Sequence, residues 1–227
     1  MSRTLLSIKD MTIGHGDRIL YSGISLDIRE GDCIMLCGAN GSGKTTFLRN
    51  LAASSDETVM IPARILKVKG FTLKEFIRVS CFRERKADGR LTSQGEKAID
   101  DALELLGLTP LASRDISTLS DGEFQKGAIA AALVRKAGII LMDEPTAFLD
   151  AENRKSVLMT IRHLCEGRIK SGSEKRPAVI FSTHDLHDGL EAAGKVIALG
   201  ADGKVHIGIA SDNSMEAAVK RIFTTLL

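Results

Sequence analysis

The stretch GANGSGKTT, Gly38 to Thr46, follows the apolar run Cys33 to Cys37 and opens Thr45 to Leu51, which reads as a helix. Strand, glycine-rich turn and helix in that order point to an α/β architecture. The spacing G-x-x-x-x-G-K-T has a mechanical reason: Gly38, Gly41 and Gly43 let successive backbone N–H groups turn inward. The helix N-terminus adds positive potential, and a lysine reaches the β- and γ-phosphates of a nucleotide. Lys44 stands in the place of that lysine. Thr45 offers the hydroxyl that ligates a magnesium ion bridging the same phosphates, and Asn40, Ser42 and Thr46 complete the loop.

A chain of 227 residues, 44% of them hydrophobic, has room for one large domain or two small ones with a substantial core. The formal charge of +2, without a run of five or six like charges, gives little reason to expect a nucleic-acid or anionic-membrane footprint. No segment reaches the roughly 18 apolar residues of a membrane span, and Leu5-Leu6 is not a leader's apolar stretch, so a soluble, cytoplasmic protein is expected. Cys33, Cys37, Cys81 and Cys165 lack C-x-x-C spacing and read as buried reduced thiols, with Cys33 and Cys37 on one side of a strand.

Short apolar or alternating runs at Leu6 to Met11, Ser25 to Ile28 and Cys33 to Cys37 read as strands. Between Phe71 and Ala137 the pattern is helical, through Leu73, Phe76 and Ile77, then Ile99 to Leu106, then the run after Gly122. Strands return at Ile139 to Met142, Val179 to Ser182, Val196 to Leu199 and Val205 to Ile209, with helices near Glu152 to Cys165 and Leu186 to Ala193. This α/β alternation predicts parallel central strands. Gly167 to Pro177 reads as a flexible connection.

Ile139 to Met142 delivers two carboxylates, Asp143 and Glu144, at a strand's C-terminal end, where open α/β sheets bind ligands. Asp143 is placed to hold a water on the metal, and Glu144 to polarise an attacking water. Leu119-Ser120-Asp121-Gly122-Glu123 reads as a capping box, with Ser120 as N-cap, Glu123 three residues on and Leu119 stapled to Phe124. A capped helix start with glycine at its second position also presents free N–H groups to an anion.

Five blocks in order resemble the ATP-binding cassette family: GANGSGKTT as Walker A, LSDGE at the signature, IILMDE as Walker B, PTAFLD as the D-loop and FSTHD with His184 as the switch histidine. The resemblance implies an α/β P-loop NTPase cassette with a RecA-like core over 1–70 and 138–227. It further implies an N-terminal antiparallel β subdomain and an inserted helical signature subdomain over 71–137. It implies ATP and Mg2+ as ligands and a head-to-tail dimer in which Ser120 and Gly122 close over the partner's nucleotide. Asp150 then lies at the same interface, and His184 contacts the γ-phosphate. His15, between Gly14 and Gly16, takes the place of an aromatic that stacks on adenine, with Tyr21 as the fallback and weak base discrimination as the consequence. Read on its own, His184 is a histidine at a strand end, and His187 with Asp185 and Asp188 lacks zincin spacing.

Two positions depart from the family pattern. Asp121 replaces a glycine, and Ala63 stands where a glutamine is expected; Gln94 and Gln125, the chain's only glutamines, are not obvious substitutes. Gly70 to Ile77, DEPTAFLD and Gly203 to Gly208 are similar to ATPase subunits that energise iron-siderophore, haem or cobalamin uptake. That likeness implies a separate membrane permease docked on Phe71 to Arg85 and, indirectly, a substrate-binding protein, at the inner face of the cell membrane. The alternatives are an exporter or other non-import complex, and a catalytically weakened nucleotide-binding regulatory module.

Overall fold

In the computed structural model, residues 2–82, 84, 88–168 and 176–224 are described. Strands β1 (Thr4–His15) and β2 (Arg18–Arg29) pair antiparallel into a ribbon whose inner residues, Ile24, Leu26 and Ile28, alternate with exposed Ser25 and Asp27. The other sheet is built from β3 (Cys33–Gly38), β4 (Thr58–Ile61), β5 (Ile139–Met142), β6 (Ala178–Ser182), β7 (Lys195–Leu199) and β8 (Val205–Ile209), in the spatial order β4-β5-β6-β3-β7-β8. All neighbours pair parallel except β7 with β8.

Strands β3, β5 and β6 are buried at every residue, as a parallel sheet covered on both faces requires. The period of two sorts them. Cys33, Met35 and Cys37 of β3 pack with Ile140, Met142, Val179 and Phe181 on one face, while Ile34 and Leu36 pack with Ile139, Leu141 and Ile180 on the other. The second face is closed by the ribbon and by α1 (Lys44–Ala52), through Phe47, Leu48 and Leu51. The first is closed by α5 (Ala151–Glu166), α6 (Leu186–Ala192) and α7 (Asn213–Thr224), among others. Strand β3 sends α1 toward β4 at one edge, and β6 sends α6 toward β7 on the other side of β3, so the chain diverges at the C-terminal ends of these central strands. Ligands bind at such a divergence.

Helices α2 (Leu73–Ser80), α3 (Ser93–Leu105) and α4 (Asp121–Val134) lie between β4 and β5 in the chain and pack on one another. Small residues let α4 come close, for a Cβ on Gly127 would fall 2.7 Å from Leu73 Cδ1. The helical run ends at Val134, short of Ala137, and Lys136 turns left-handed at φ 54°. Sequence periodicity missed β4, whose four residues stop at Pro62, and α7. The connection expected at Gly167 to Pro177 lies largely outside the described residues. Among the described residues, no helix is long and apolar enough to cross a membrane.

All four cysteines are free and buried, and burial pushes the Cys37 thiol up to about 12 against the opposing pull of Lys44. The native protein is therefore expected to leave a disulfide-exchange reagent almost unreacted at mildly alkaline pH. In concentrated guanidinium the four thiols of the chain should titrate fully. Rapid labelling of the native protein would contradict this packing.

Candidate active site

The Gly38 to Thr46 loop leaves β3 at its C-terminal end and turns into α1 through Gly43, which caps the helix at φ 96° with no side-chain cap bond. An added Cβ there would be strained and would meet Leu20 Cδ1 at 2.7 Å. The first N–H groups of α1 thus face the loop uncapped by any side chain. Ser42 Oγ is buried without a hydrogen-bond partner, and a phosphate oxygen would satisfy it. Lys44 is buried and its Nζ donates to the carbonyls of Gly38 at 2.9 Å and Ala39 at 3.2 Å. Burial lowers its pKa, while Glu144 and then Asp143 act to raise it.

Thr45, the adjacent pair Asp143-Glu144, and His184 come together from three separate parts of the chain. Thr45 Oγ1 donates to Asp143 Oδ2 at 2.7 Å, and His184 Nε2 lies 2.5 Å from Glu144 Oε1. Asp143 is buried, its N–H bonded to Ile61 O at 2.9 Å, so β4 pins the carboxylate's backbone. Asp185 caps α6 and accepts from Arg154 at 2.5 Å, which ties the His184 loop to α5. A hydroxyl beside a carboxylate is the hard oxygen donor set that suits Mg2+.

Ser120 caps α4 as the spacing predicts: Glu123 N–H donates to Ser120 Oγ at 3.2 Å and Ser120 N–H to Glu123 Oε2 at 2.7 Å. That bond from the Ser120 N–H holds the Glu123 carboxyl below its usual range, so Glu123 serves the cap. Asp150 caps α5, and the Asn153 N–H holds its carboxyl low in the same way. The two helix starts touch, since a Cβ on Gly122 would lie 2.7 Å from Asn153 Oδ1 and force the Asn153 side chain to shift. Sequence reading missed Asn153, whose partner lies in a distant segment.

Asp121 turns outward, 61% exposed, and Lys67 answers it: Nζ lies 2.6 Å from Asp121 Oδ1 and donates to Leu119 O at 2.7 Å. If two chains close over ATP as the family resemblance implies, Lys67→Ala is expected to leave a bare carboxylate at the helix start and to raise, several-fold, the ATP concentration at which they associate. Asp121→Gly in the same chain should reverse the effect. Light scattering during an ATP titration checks it, and no response to Lys67→Ala would contradict it.

Gln125, not an obvious substitute from the sequence, lies on α4 in the wall of an open cleft of about 340 Å³ together with Ala63, Lys67 and Glu144, and its Nε2 is buried and unpartnered. Tyr21 is not the fallback for base stacking. It is buried, and its hydroxyl donates to Ser42 O at 2.8 Å, bracing the phosphate loop from beneath. His15 ends β1, and its imidazole lies outside the described part of the structure, as does Arg85. Asn50 donates to Thr46 O at 2.9 Å and to Gly14 O at 3.5 Å, tying that turn to α1. His187 Nδ1 lies 3.3 Å from Asp188 Oδ1 on the exposed side of α6, and the Asp188 N–H donates to the capping Asp185 Oδ1 at 3.1 Å.

Residues 21–147 match the family described as ABC transporter, and the chain belongs to that family, whose cassettes bind and hydrolyse ATP. It is 26% identical over 241 residues to the iron(3+)-hydroxamate import ATP-binding protein FhuC of Bacillus subtilis, covering 96% of this chain and 87% of FhuC. It is 33% identical over 203 residues to the aliphatic sulfonates import ATP-binding protein SsuB 2 of Frankia alni, covering 88% and 78%. A chain of an inward-facing ABC transporter assigned to the metal-chelate type shares the fold, with TM-score 0.80 and 22% identity over 95% of this chain and 88% of the other.

Proposed function

We propose that this chain energises uptake of a metal chelate through a separate membrane permease, as one of two copies that close head-to-tail over ATP. The observation that carries the proposal is the cluster of Lys44, Thr45, Asp143, Glu144 and His184 at the C-terminal ends of β3, β5 and β6. The phosphates are taken by the uncapped N–H groups of α1, the free Ser42 hydroxyl and Lys44, with His15 against the base. Thr45 and Asp143 would hold Mg2+, which would supply charge neutralisation on the phosphates.

Glu144 accepts a proton from the attacking water, whose oxygen bonds to the γ-phosphorus as the bond to the β,γ-bridging oxygen breaks and ADP leaves with the electron pair. His184, against the Glu144 carboxylate, orients the water and contacts the γ-phosphate. The second copy supplies Ser120, Gly122 and the start of its α4, with Asp150 at the same interface. Hydrolysis removes the bridging phosphate and the pair reopens.

The permease fits the apolar surface around the cleft at Ala63 and along Phe71 to Phe82, where Leu66 is 78% and Phe148 67% exposed. The chain then sits at the inner face of the cell membrane, and a substrate-binding protein delivers the chelate to the permease. A metal chelate as cargo is supported by the likeness to FhuC, and the likeness to a sulfonate importer keeps the cargo class open to test. Affinity purification from detergent-solubilised membranes should recover a stoichiometric membrane-spanning subunit. Recovery of this chain alone would favour a role away from membranes.

Ala63 favours a second reading, a regulatory module with weak hydrolysis. Wild-type turnover no faster than that of Glu144→Gln would decide for it.

A further inference from the structure

Ser182, the last residue of β6, is fully buried and stands between Asp143 and Glu144, the two carboxylate residues that follow β5. Its Oγ accepts from the Glu144 N–H at 2.8 Å and donates to Asp143 Oδ1 at 2.9 Å. The other oxygen of Asp143 is engaged by Thr45, so each carboxylate oxygen meets one hydroxyl, from β6 and from α1. Glu144 meanwhile holds φ 46°, a left-handed backbone that a residue with a side chain seldom adopts and that persists only where its surroundings fix it. Two hydrogen bonds hold this backbone: the Glu144 N–H donates to Ser182 Oγ, and the Glu144 carbonyl accepts from the Ala147 N–H at 3.1 Å.

We propose that Ser182 is a positioning residue for hydrolysis: one hydroxyl sets the rotation of the Asp143 carboxylate and, through the Glu144 N–H, the backbone conformation that aims the Glu144 side chain at the attacking water. The proposal rests on the reading of Glu144 as general base. A hydroxyl is required because the site needs one acceptor and one donor on a single small side chain. Alanine supplies neither, and it would leave the N–H of Glu144 and an oxygen of Asp143 unpaired in a buried place.

The test uses the full chain carrying Ser182→Ala, Ser182→Thr or Glu144→Gln, with steady-state ATP hydrolysis and amide hydrogen exchange as readouts. Ser182→Ala is expected to lower kcat about 10- to 100-fold, the usual cost of removing a residue that orients a functional ligand. The KM for ATP should change little, because the phosphate loop is untouched. Exchange should quicken at the Glu144 amide while Ile140 and Leu141 keep their protection. Ser182→Thr, which retains the hydroxyl, should restore most of both.

Wild-type kcat in Ser182→Ala beside an inactive Glu144→Gln would overturn the role of Ser182 alone. Equal losses in the alanine and threonine variants, or faster exchange along all of β5, would overturn it too, by showing that packing is what matters. Wild-type turnover in Glu144→Gln would remove the general base and this inference with it.

Discussion

Glu144→Gln should lower ATP turnover about 10²- to 10⁴-fold, the usual cost of losing a general base, while ATP still binds. The amide keeps the size of the carboxylate and has an oxygen and an NH2 group, but it cannot take a proton from water. The backbone that presents it is set by the Ser182 bond and by the ladder of β5 with β6, neither of which involves the side chain. His184 keeps a partner, since an amide oxygen can face Nε2 where the carboxylate did. The protein should therefore fold and load nucleotide as before and then stall. Phosphate release measures the first half and filter binding of ATP the second. Where the wild type itself turns over ATP readily, a variant rate within about threefold of it would mean that another group accepts the proton, for a base contributes far more than that; two equally slow proteins would instead mark the regulatory module.

Lys44→Ala is the second large effect expected, and it acts on binding. Lys44 is a buried cation, with Glu144 and Asp143 the groups that favour its charge. Remove it, and a triphosphate entering the loop meets two carboxylates with no lysine to offset them. A hydrogen bond to a charged group contributes about 1.5–3 kcal/mol, so loss of the contacts to two phosphates should weaken ATP binding by about 100-fold or more. The fold should survive, because Nζ bonds only the carbonyls of Gly38 and Ala39 within its own loop. Equilibrium binding by calorimetry checks this, and an affinity close to wild type would show that the phosphates lie elsewhere.

Much of this was legible in the chain because it is local. The phosphate loop is one run of residues between a strand and a helix. The cap on α4 needs only Ser120 and Glu123, three positions apart. Strand β5 announces itself by an unbroken apolar run that stops at two carboxylates.

What escaped is what distant segments do to one another. Asp121 alone reads as a charge spoiling an anion site, and Lys67, 54 positions away, changes that reading. Tyr21 has the ring a base would stack on, and only the fold shows it buried beneath Ser42. Ser182 reads as an ordinary strand residue until β6 is laid beside β5, 39 positions earlier in the chain. Gln125 looks misplaced by its helix, yet packing sets it in the same cleft as Glu144. Strand β4 is short enough that periodicity has nothing to act on.

The central claim is that ATP is held by the Gly38 to Thr46 loop of one copy and closed over by the Ser120-capped helix of the other. Light scattering of Glu144→Gln with and without saturating ATP and Mg2+ tests it most directly, because hydrolysis cannot then dissolve the complex. The account predicts a shift from the 24.4 kDa mass of one chain to twice that value on ATP addition, abolished by Lys44→Ala in the same background. A single-chain mass at every ATP concentration that saturates binding would contradict it.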